Sequence, residues 1–389
     1  MLDWLACRFA PRLVPLTAHP SPELPEPSAH DDLLERTREA HRALEAVPYE
    51  PHGPTNAADL LMGMGCRDLV CREADQDPDT AGRTPNYRDL PTFQPLEVPV
   101  EGGPTLTGHH SVGAPGAPLV LVVHGLFDSH VCFYVVEYAE ALRRMGFHVV
   151  TLDLRDHGRL LGSEHVPGLG LVEGRDLYLA AKALARAEGV SVGLVGMSYG
   201  AHCVVRAAHE ATLAGDAHLL RGGVLALCGP LDIHEAVLAF DDHSRLPRAE
   251  RLRDRIILSQ LMKVMVRHLR LRARGHRLPA GEEWEAYIRE VLLPGHPGEP
   301  PLVGAFLGKA RSAQPSVLPE IRVPTAIVHP VDDPIVPVTH ARKAAELCAD
   351  NPFVHVRELP CGGHVGQGAV DGPGTLAMLA TWFGLLRDG

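Results

Sequence analysis

A serine set between two glycines, Gly196-Met197-Ser198-Tyr199-Gly200, lies where two segments with incompatible backbone geometry meet. Val192-Gly193-Leu194-Val195 before it reads as an apolar strand, and the small residues from Ala201 onward read as a helix. So abrupt a passage from strand to helix forces the middle residue into a strained conformation. A Cβ on either flanking residue would strike the crossing strand or helix, and glycine on both sides removes the collision. The serine hydroxyl then stands clear of the sheet edge, beside the first amides of the helix.

The surrounding pattern supplies the sheet that such a turn needs. Strand-like and helix-like stretches alternate: strand 119–123, helix 135–145, strand 148–152, helix 174–187, strand 191–195, helix 201–211 and strand 223–227. Continuous apolar runs such as Leu119-Val120-Leu121-Val122-Val123 are the mark of strands buried on both faces. The alternation predicts βαβ units and a mostly parallel, doubly wound α/β sheet. A hairpin-like start is expected over 96–100 and 106–110, and a further buried strand over 323–329. Ligands in such sheets bind beyond the carboxyl ends of the strands, where every candidate residue below falls.

Residues 1–93 read as an N-terminal helical extension. A helix over 31–47 has an Asp cap, apolar spacing through Leu33, Leu34, Ala40 and Leu44, and a stop at Pro48. A second short helix is expected over 56–64, then a turn-rich stretch over 73–91. The α/β core takes residues 94–234 and 319–389. Between them the alternation stops, and 235–318 reads as a helical insertion in which 250–274 carries Leu252, Ile256, Leu258, Leu261, Met262, Met265 and Leu269 among arginines.

Three loops accompany the serine. His124-Gly125-Leu126-Phe127-Asp128-Ser129 ends the strand at 119–123. Asp332-Asp333-Pro334-Ile335-Val336-Pro337 follows the strand at 323–329, and after one more helix and strand comes Gly362-Gly363-His364-Val365-Gly366. The chain order serine, aspartate, histidine resembles that of the α/β-hydrolase superfamily and differs from the two best-known serine protease folds. The HGLFDS, DDPIVP and GGHVG segments are most similar to its YheT-like esterase branch and the neighbouring monoacylglycerol-lipase-type enzymes. The likeness covers roughly residues 94–389, with a weak middle, and leaves out the N-terminal quarter.

This resemblance implies an α/β-hydrolase fold with a helical lid formed by the insertion, and a catalytic triad. Ser198 is the expected nucleophile, since a serine hydroxyl needs a base within reach. His364 is the expected base, with Gly362 and Gly363 letting its loop approach the serine. Asp333 is the expected acid; Asp332, its neighbour, and Asp232, at the end of the sixth strand, are the alternatives. Either Asp332 or Asp333 could instead cap the helix starting near Val338. The oxyanion hole would take the backbone N–H of Tyr199 and, by resemblance, that of Leu126. His124 is expected to brace its loop, and Asp153, Arg155, Asp156 and His157 are assigned no chemistry.

The expected activity is cleavage of carboxylic esters, with medium-chain or lipid-like acyl groups favoured by an apolar, lidded site. Thioesterase, amidase, peptidase and acyltransferase chemistry use the same triad. A non-catalytic binding protein on a hydrolase fold is the reading from another class. A serine at this position argues against dehalogenase or epoxide hydrolase chemistry, which in this fold use an aspartate.

Composition narrows the partners. Net charge is −11 and no basic stripe interleaved with aromatics occurs, which argues against nucleic acid. No Gly-x-Gly-x-x-Gly follows a strand and no phosphate loop occurs, so a dinucleotide enzyme fails. His109-His110, and His329 with Asp332 and Asp333, lack the spacing of a closed metal shell. No cofactor and no metal are expected, and the partner is a small-molecule ester. The insertion reads first as an ordinary amphipathic helix with a solvated arginine face, and second as a weak membrane-surface contact. The eight cysteines form no CxxC pair, and no signal peptide or membrane span is legible. Cytoplasmic residence is the expectation.

Overall fold

A computed structural model describes residues 13–53, 87, 90–114, 116–126, 128–155, 157–160, 168, 170–233 and 317–388. The expected helix at 56–64 and residues 235–316 of the insertion, with Leu261, Met262 and Met265, lie outside the described residues.

Eight strands form one sheet: β1 (Gln94–Pro99), β2 (Thr105–Ser111), β3 (Leu119–Val123), β4 (His148–Leu152), β5 (Val192–Met197), β6 (Val224–Leu227), β7 (Thr325–Pro330) and β8 (Val354–Leu359). Their order is β1-β2-β4-β3-β5-β6-β7-β8. β2 alone runs opposite to the other seven strands. The described helices are α1 (Leu33–Ala46), α2 (Phe133–Arg144), α3 (Leu171–Glu188), α4 (Tyr199–Leu213), α5 (Thr339–Leu347), α6 (Gln367–Val370) and α7 (Gly372–Leu386).

The sheet separates two cores, and the strands alternate between them. Leu119, Leu121 and Val123 face a core with Leu177 of α3 and Val204 of α4. Val120 and Val122 face another with Val135 of α2, Leu379 and Trp382 of α7, and Ala40 and Leu44 of α1. A strand buried on both sides must be apolar at every position, which is why β3 reads as an unbroken run. From β3 the chain steps to β4 on one side and then crosses back over β3 to β5 on the other, so the strand order switches at β3. A crevice opens at such a switch, beyond the carboxyl ends of β3 and β5.

Helix boundaries depart from the sequence pattern for local reasons. The helix expected over 174–187 begins at Leu171, because the Glu173 carboxylate accepts the N–H groups of Gly168 and Gly170 at 2.7 and 2.8 Å. The helix expected from Ala201 begins at Tyr199, directly after the serine. Asp32 caps α1 by accepting from Leu34 and Glu35.

Burial of His202, in the first turn of α4, pulls its pKa from 6.5 down to about 4. The unfolded chain then binds a proton that the folded one refuses, so stability falls as pH drops from 6.5 toward 4. His202 alone is expected to remove about 2 kcal/mol at pH 5 relative to pH 7. Urea midpoints at the two pH values check this, and His202→Gln should narrow the difference.

Candidate active site

The turn between β5 and α4 holds Ser198 at φ 54, ψ −119, a conformation that surrounding structure must enforce. Its glycines make this feasible. A Cβ at Gly196 would lie 2.3 Å from the Gly200 carbonyl oxygen, and one at Gly200 would lie 2.4 Å from that of His124. Backbone atoms cannot step aside cheaply. Gly200→Ala is therefore expected to destabilise the fold by about 1–3 kcal/mol, read as a lower urea midpoint at constant slope.

The loop after β3 closes against the serine, since a Cβ at Gly125 would stand 3.3 Å from Ser198 Cβ. Polar groups pin it. His124 is fully buried, its Nδ1 facing Gly125 O at 2.7 Å while Nε2 accepts the Leu154 N–H at 3.0 Å. Both ring nitrogens thus serve the backbone, and burial holds the ring's pKa below the usual histidine value. The Tyr134 hydroxyl accepts the Gly125 N–H at 2.8 Å and donates to Asp128 at 2.6 Å. Leu126, the expected second oxyanion-hole residue, directly follows this clamped glycine. Tyr199 is the first residue of α4, so its amide has no acceptor within the helix.

His364 reaches the same place from the loop after β8. Its Nε2 lies 2.8 Å from Ser198 Oγ, and its Nδ1 lies 2.8 Å from Asp333 Oδ2. Asp333 is buried behind β7, and its other oxygen accepts the N–H groups of Ile335 and Val336 at 2.8 and 2.9 Å. A carboxylate can only accept, so Nδ1 carries the ring proton and Nε2 faces the serine hydroxyl as acceptor. The structure thereby brings Ser198, His364 and Asp333 into one hydrogen-bonded line.

Asp332, the neighbouring alternative, is held elsewhere. Asp332 Oδ1 accepts the Gly363 N–H at 2.8 Å, so this side chain holds the histidine loop without meeting the ring. The Asp232 backbone N–H points at His340 Nδ1, 3.4 Å away. Val338 precedes α5 with no side-chain cap, so neither Asp332 nor Asp333 caps that helix. An amide at position 332 retains an oxygen for Gly363. Asp332→Asn is therefore expected to change turnover less than about ten-fold, and Asp332→Ala to lower it further, because a part-buried N–H is left unpaired. Steady-state rates of the two variants check this.

Cys228, at the end of β6, escaped the sequence reading. Its Sγ accepts the Val365 N–H at 3.4 Å and stands 3.6 Å from Gln367 Oε1. Burial pushes the thiol's pKa well up, so the S–H is retained as a donor. Ser198, Cys228 and Val365 are the non-glycine residues at positive φ among those described; Val365 follows His364, and Cys228 accepts the Val365 N–H. Tyr134 and Cys228 carry no local motif, and only their tertiary neighbours reveal them; Asp128 lies in the HGLFDS segment, but its bond to Tyr134 is visible only in the fold. The buried loop after β4 holds structure: Asp153 accepts from His130 N at 2.8 Å, and Arg155 pairs with Asp176 at 2.7 Å.

The fold and this arrangement at the β3–β5 crevice define a class of protein, and comparison with known families agrees. The alpha/beta hydrolase family matches residues 120–372, and the chain belongs to it. No curated protein sequence matches the chain. Among solved structures, the Pyrococcus furiosus esterase Pf2001 is similar at 16% identity and a TM-score of 0.52, over 77% of this chain and 93% of that one. A Pyrococcus horikoshii acylaminoacyl peptidase is similar at 14% identity and a TM-score of 0.47, over 75% of this chain but 40% of its own. A puromycin-hydrolyzing peptidase of Mycobacterium tuberculosis matches at 14% identity and a TM-score of 0.49, over 78% and 40%. The likeness to the esterase, at this identity, shows the fold alone and carries no activity. Among the described residues, no helix is long and apolar enough to cross a membrane.

Proposed function

We propose that this hydrolase cleaves carboxylic esters through an acyl-enzyme on Ser198. The observation that carries the reading is the line Asp333–His364–Ser198, with 2.8 Å at each step. His364 Nε2 takes the proton as Ser198 Oγ attacks the ester carbonyl, and the backbone N–H groups of Leu126 and Tyr199 hold the developing oxyanion. Collapse expels the alcohol, which takes the proton from His364. Water, deprotonated by the same nitrogen, then releases the acid and frees the serine. Asp333 holds the ring in its Nδ1–H form and stabilises the imidazolium.

Within the family, the HGLFDS, DDPIVP and GGHVG segments favour the YheT-like and monoacylglycerol-lipase-type branch. The domain division made from sequence, with a lid over 235–318, belongs to the same proposal. We place the protein in the cytoplasm because Cys203, Cys228 and Cys348 are buried outside any disulfide.

One experiment tests the reading. A panel of p-nitrophenyl esters of graded chain length, with matched thioesters and anilides, is expected to give the highest kcat/KM on esters. Burying each added methylene contributes about 0.8 kcal/mol until the pocket is full, so the ester series should rise, peak at medium length and fall. Preference for the anilide or thioester would replace the ester reading with amidase or thioesterase. No turnover, together with no labelling by a fluorophosphonate, would leave a non-catalytic binding protein.

A further inference from the structure

The histidine loop, residues 361–366, is held at alternate positions by three different parts of the fold. Asp332 takes the Gly363 N–H and Cys228 takes the Val365 N–H, both from strand ends beside the site. The third hold comes from the other end of the chain. The Tyr49 hydroxyl donates to the Cys361 carbonyl oxygen at 3.0 Å, across 312 residues of sequence.

That bond is one of a series. Just after α1 the chain runs along the stretch that leaves the histidine. Glu50 N donates to Asp371 Oδ2 at 2.6 Å, and the N–H groups of His52 and Gly53 both reach Val370 O at 2.9 Å. The approach is too close for a side chain at Gly53, where a Cβ would lie 2.4 Å from Ala369 O. Gly362 takes φ +146, and a Cβ there would lie 3.3 Å from Tyr49 Oη and 3.0 Å from Pro330 Cγ. Tyr49 and Cys361 also pack on the small apolar cluster of Leu13 and Val370. Arg357 anchors the start of the strap on β8 by donating to the carbonyls of Leu44 and Val47. Burial keeps the Tyr49 phenol protonated by pushing its pKa far up, so it remains a donor.

We propose that the N-terminal strap 47–53 is part of the catalytic apparatus, and that Tyr49 is a positioning residue which sets the His364 loop against Ser198. The inference rests on the reading of His364 as the base. Two hydrogen bonds 2.8 Å long must form at once on one imidazole ring, and the loop bearing it has glycines at 362, 363 and 366. Such a loop has little stiffness of its own, so its placement is decided by what grips it. Tyr49 grips the loop entrance at the Cys361 carbonyl, whereas Asp332 and Cys228 accept N–H groups further along the loop. Small misplacements of a catalytic group cost rate steeply, whereas a residue that never touches substrate leaves ground-state binding alone.

The test compares full-length wild type, Tyr49→Phe and Gly53→Ala on the best p-nitrophenyl ester. Active sites are titrated with a fluorophosphonate, and thermal midpoints are recorded. Tyr49→Phe should lower kcat per titrated site by about ten-fold with KM unchanged. Gly53→Ala, which keeps the Tyr49 hydroxyl but pushes the strap that carries it away from the loop, should show the same split. An unchanged kcat per titrated site overturns the proposal, whether or not the thermal midpoint falls, because a purely structural strap would reduce only the number of folded sites. A rise in KM with constant kcat overturns it too, by making Tyr49 a binding residue. A wild type that takes no label overturns the hydrolase reading and this inference together, whereas a labelled wild type with an unaffected Tyr49→Phe overturns this inference alone.

Discussion

Ser198→Ala is expected to lower ester turnover by roughly 10⁶ and to abolish labelling by a fluorophosphonate. Without Oγ no acyl-enzyme forms. What remains is orientation of the ester and the amides of Leu126 and Tyr199. His364→Ala should cost about the same, and the double variant no more than either single one, because the two side chains act as a unit. The Ser198 N–H bond to Leu227 O at 2.8 Å involves only the backbone, so the turn retains that support in the alanine variant. Intact-mass measurement of labelled wild type and variant, beside steady-state rates, reads both effects. Equal labelling of the two would move the nucleophile elsewhere, and a double variant far slower than either single would show that the residues act separately.

Asp333→Asn is expected to reduce turnover by roughly 10⁴ with the fold intact. The reason lies in how the carboxylate is held. Oδ1 accepts two backbone N–H groups, from Ile335 and Val336, and only an oxygen can stay there. The amide NH₂ must then occupy the Oδ2 position, 2.8 Å from His364 Nδ1. Two donors cannot face each other, so the ring moves its proton to Nε2 and presents a donor to the serine. A base in that form cannot accept the Ser198 proton. Rates of Asp333→Asn, Asp332→Asn and Asp232→Asn on one ester, with circular dichroism to confirm folding, decide the assignment. A large loss at Asp332 or Asp232 with little at Asp333 would reassign the acid.

The architecture was legible because its determinants are local. Leu119 to Val123 are apolar at every position because both faces of β3 are covered, and that pattern is visible without knowing what covers them. The elbow was legible for the same reason: Gly196 and Gly200 answer to atoms within the same strand–turn–helix unit and the adjoining end of β3. Boundaries were less so. The start of α3 depends on Glu173 bonding back to Gly168 and Gly170, a cap that periodicity does not register.

The candidate site divides along the same line. The sequence by itself determined a parallel sheet with a serine at a strained turn, two carboxylates after a later strand and a glycine-flanked histidine after the last one. Each of these is written within a few consecutive residues, where chain geometry leaves few options. Which carboxylate faces the ring was decided only by tertiary structure, since Asp332 and Asp333 are neighbours whose side chains leave the backbone in different directions. The same holds for the grip on the histidine loop, supplied by Tyr49, Asp332 and Cys228 from three separate parts of the chain. Hydrogen bonds across hundreds of residues leave no periodicity behind, because they depend on where folding has brought two backbones and not on any local preference of either one.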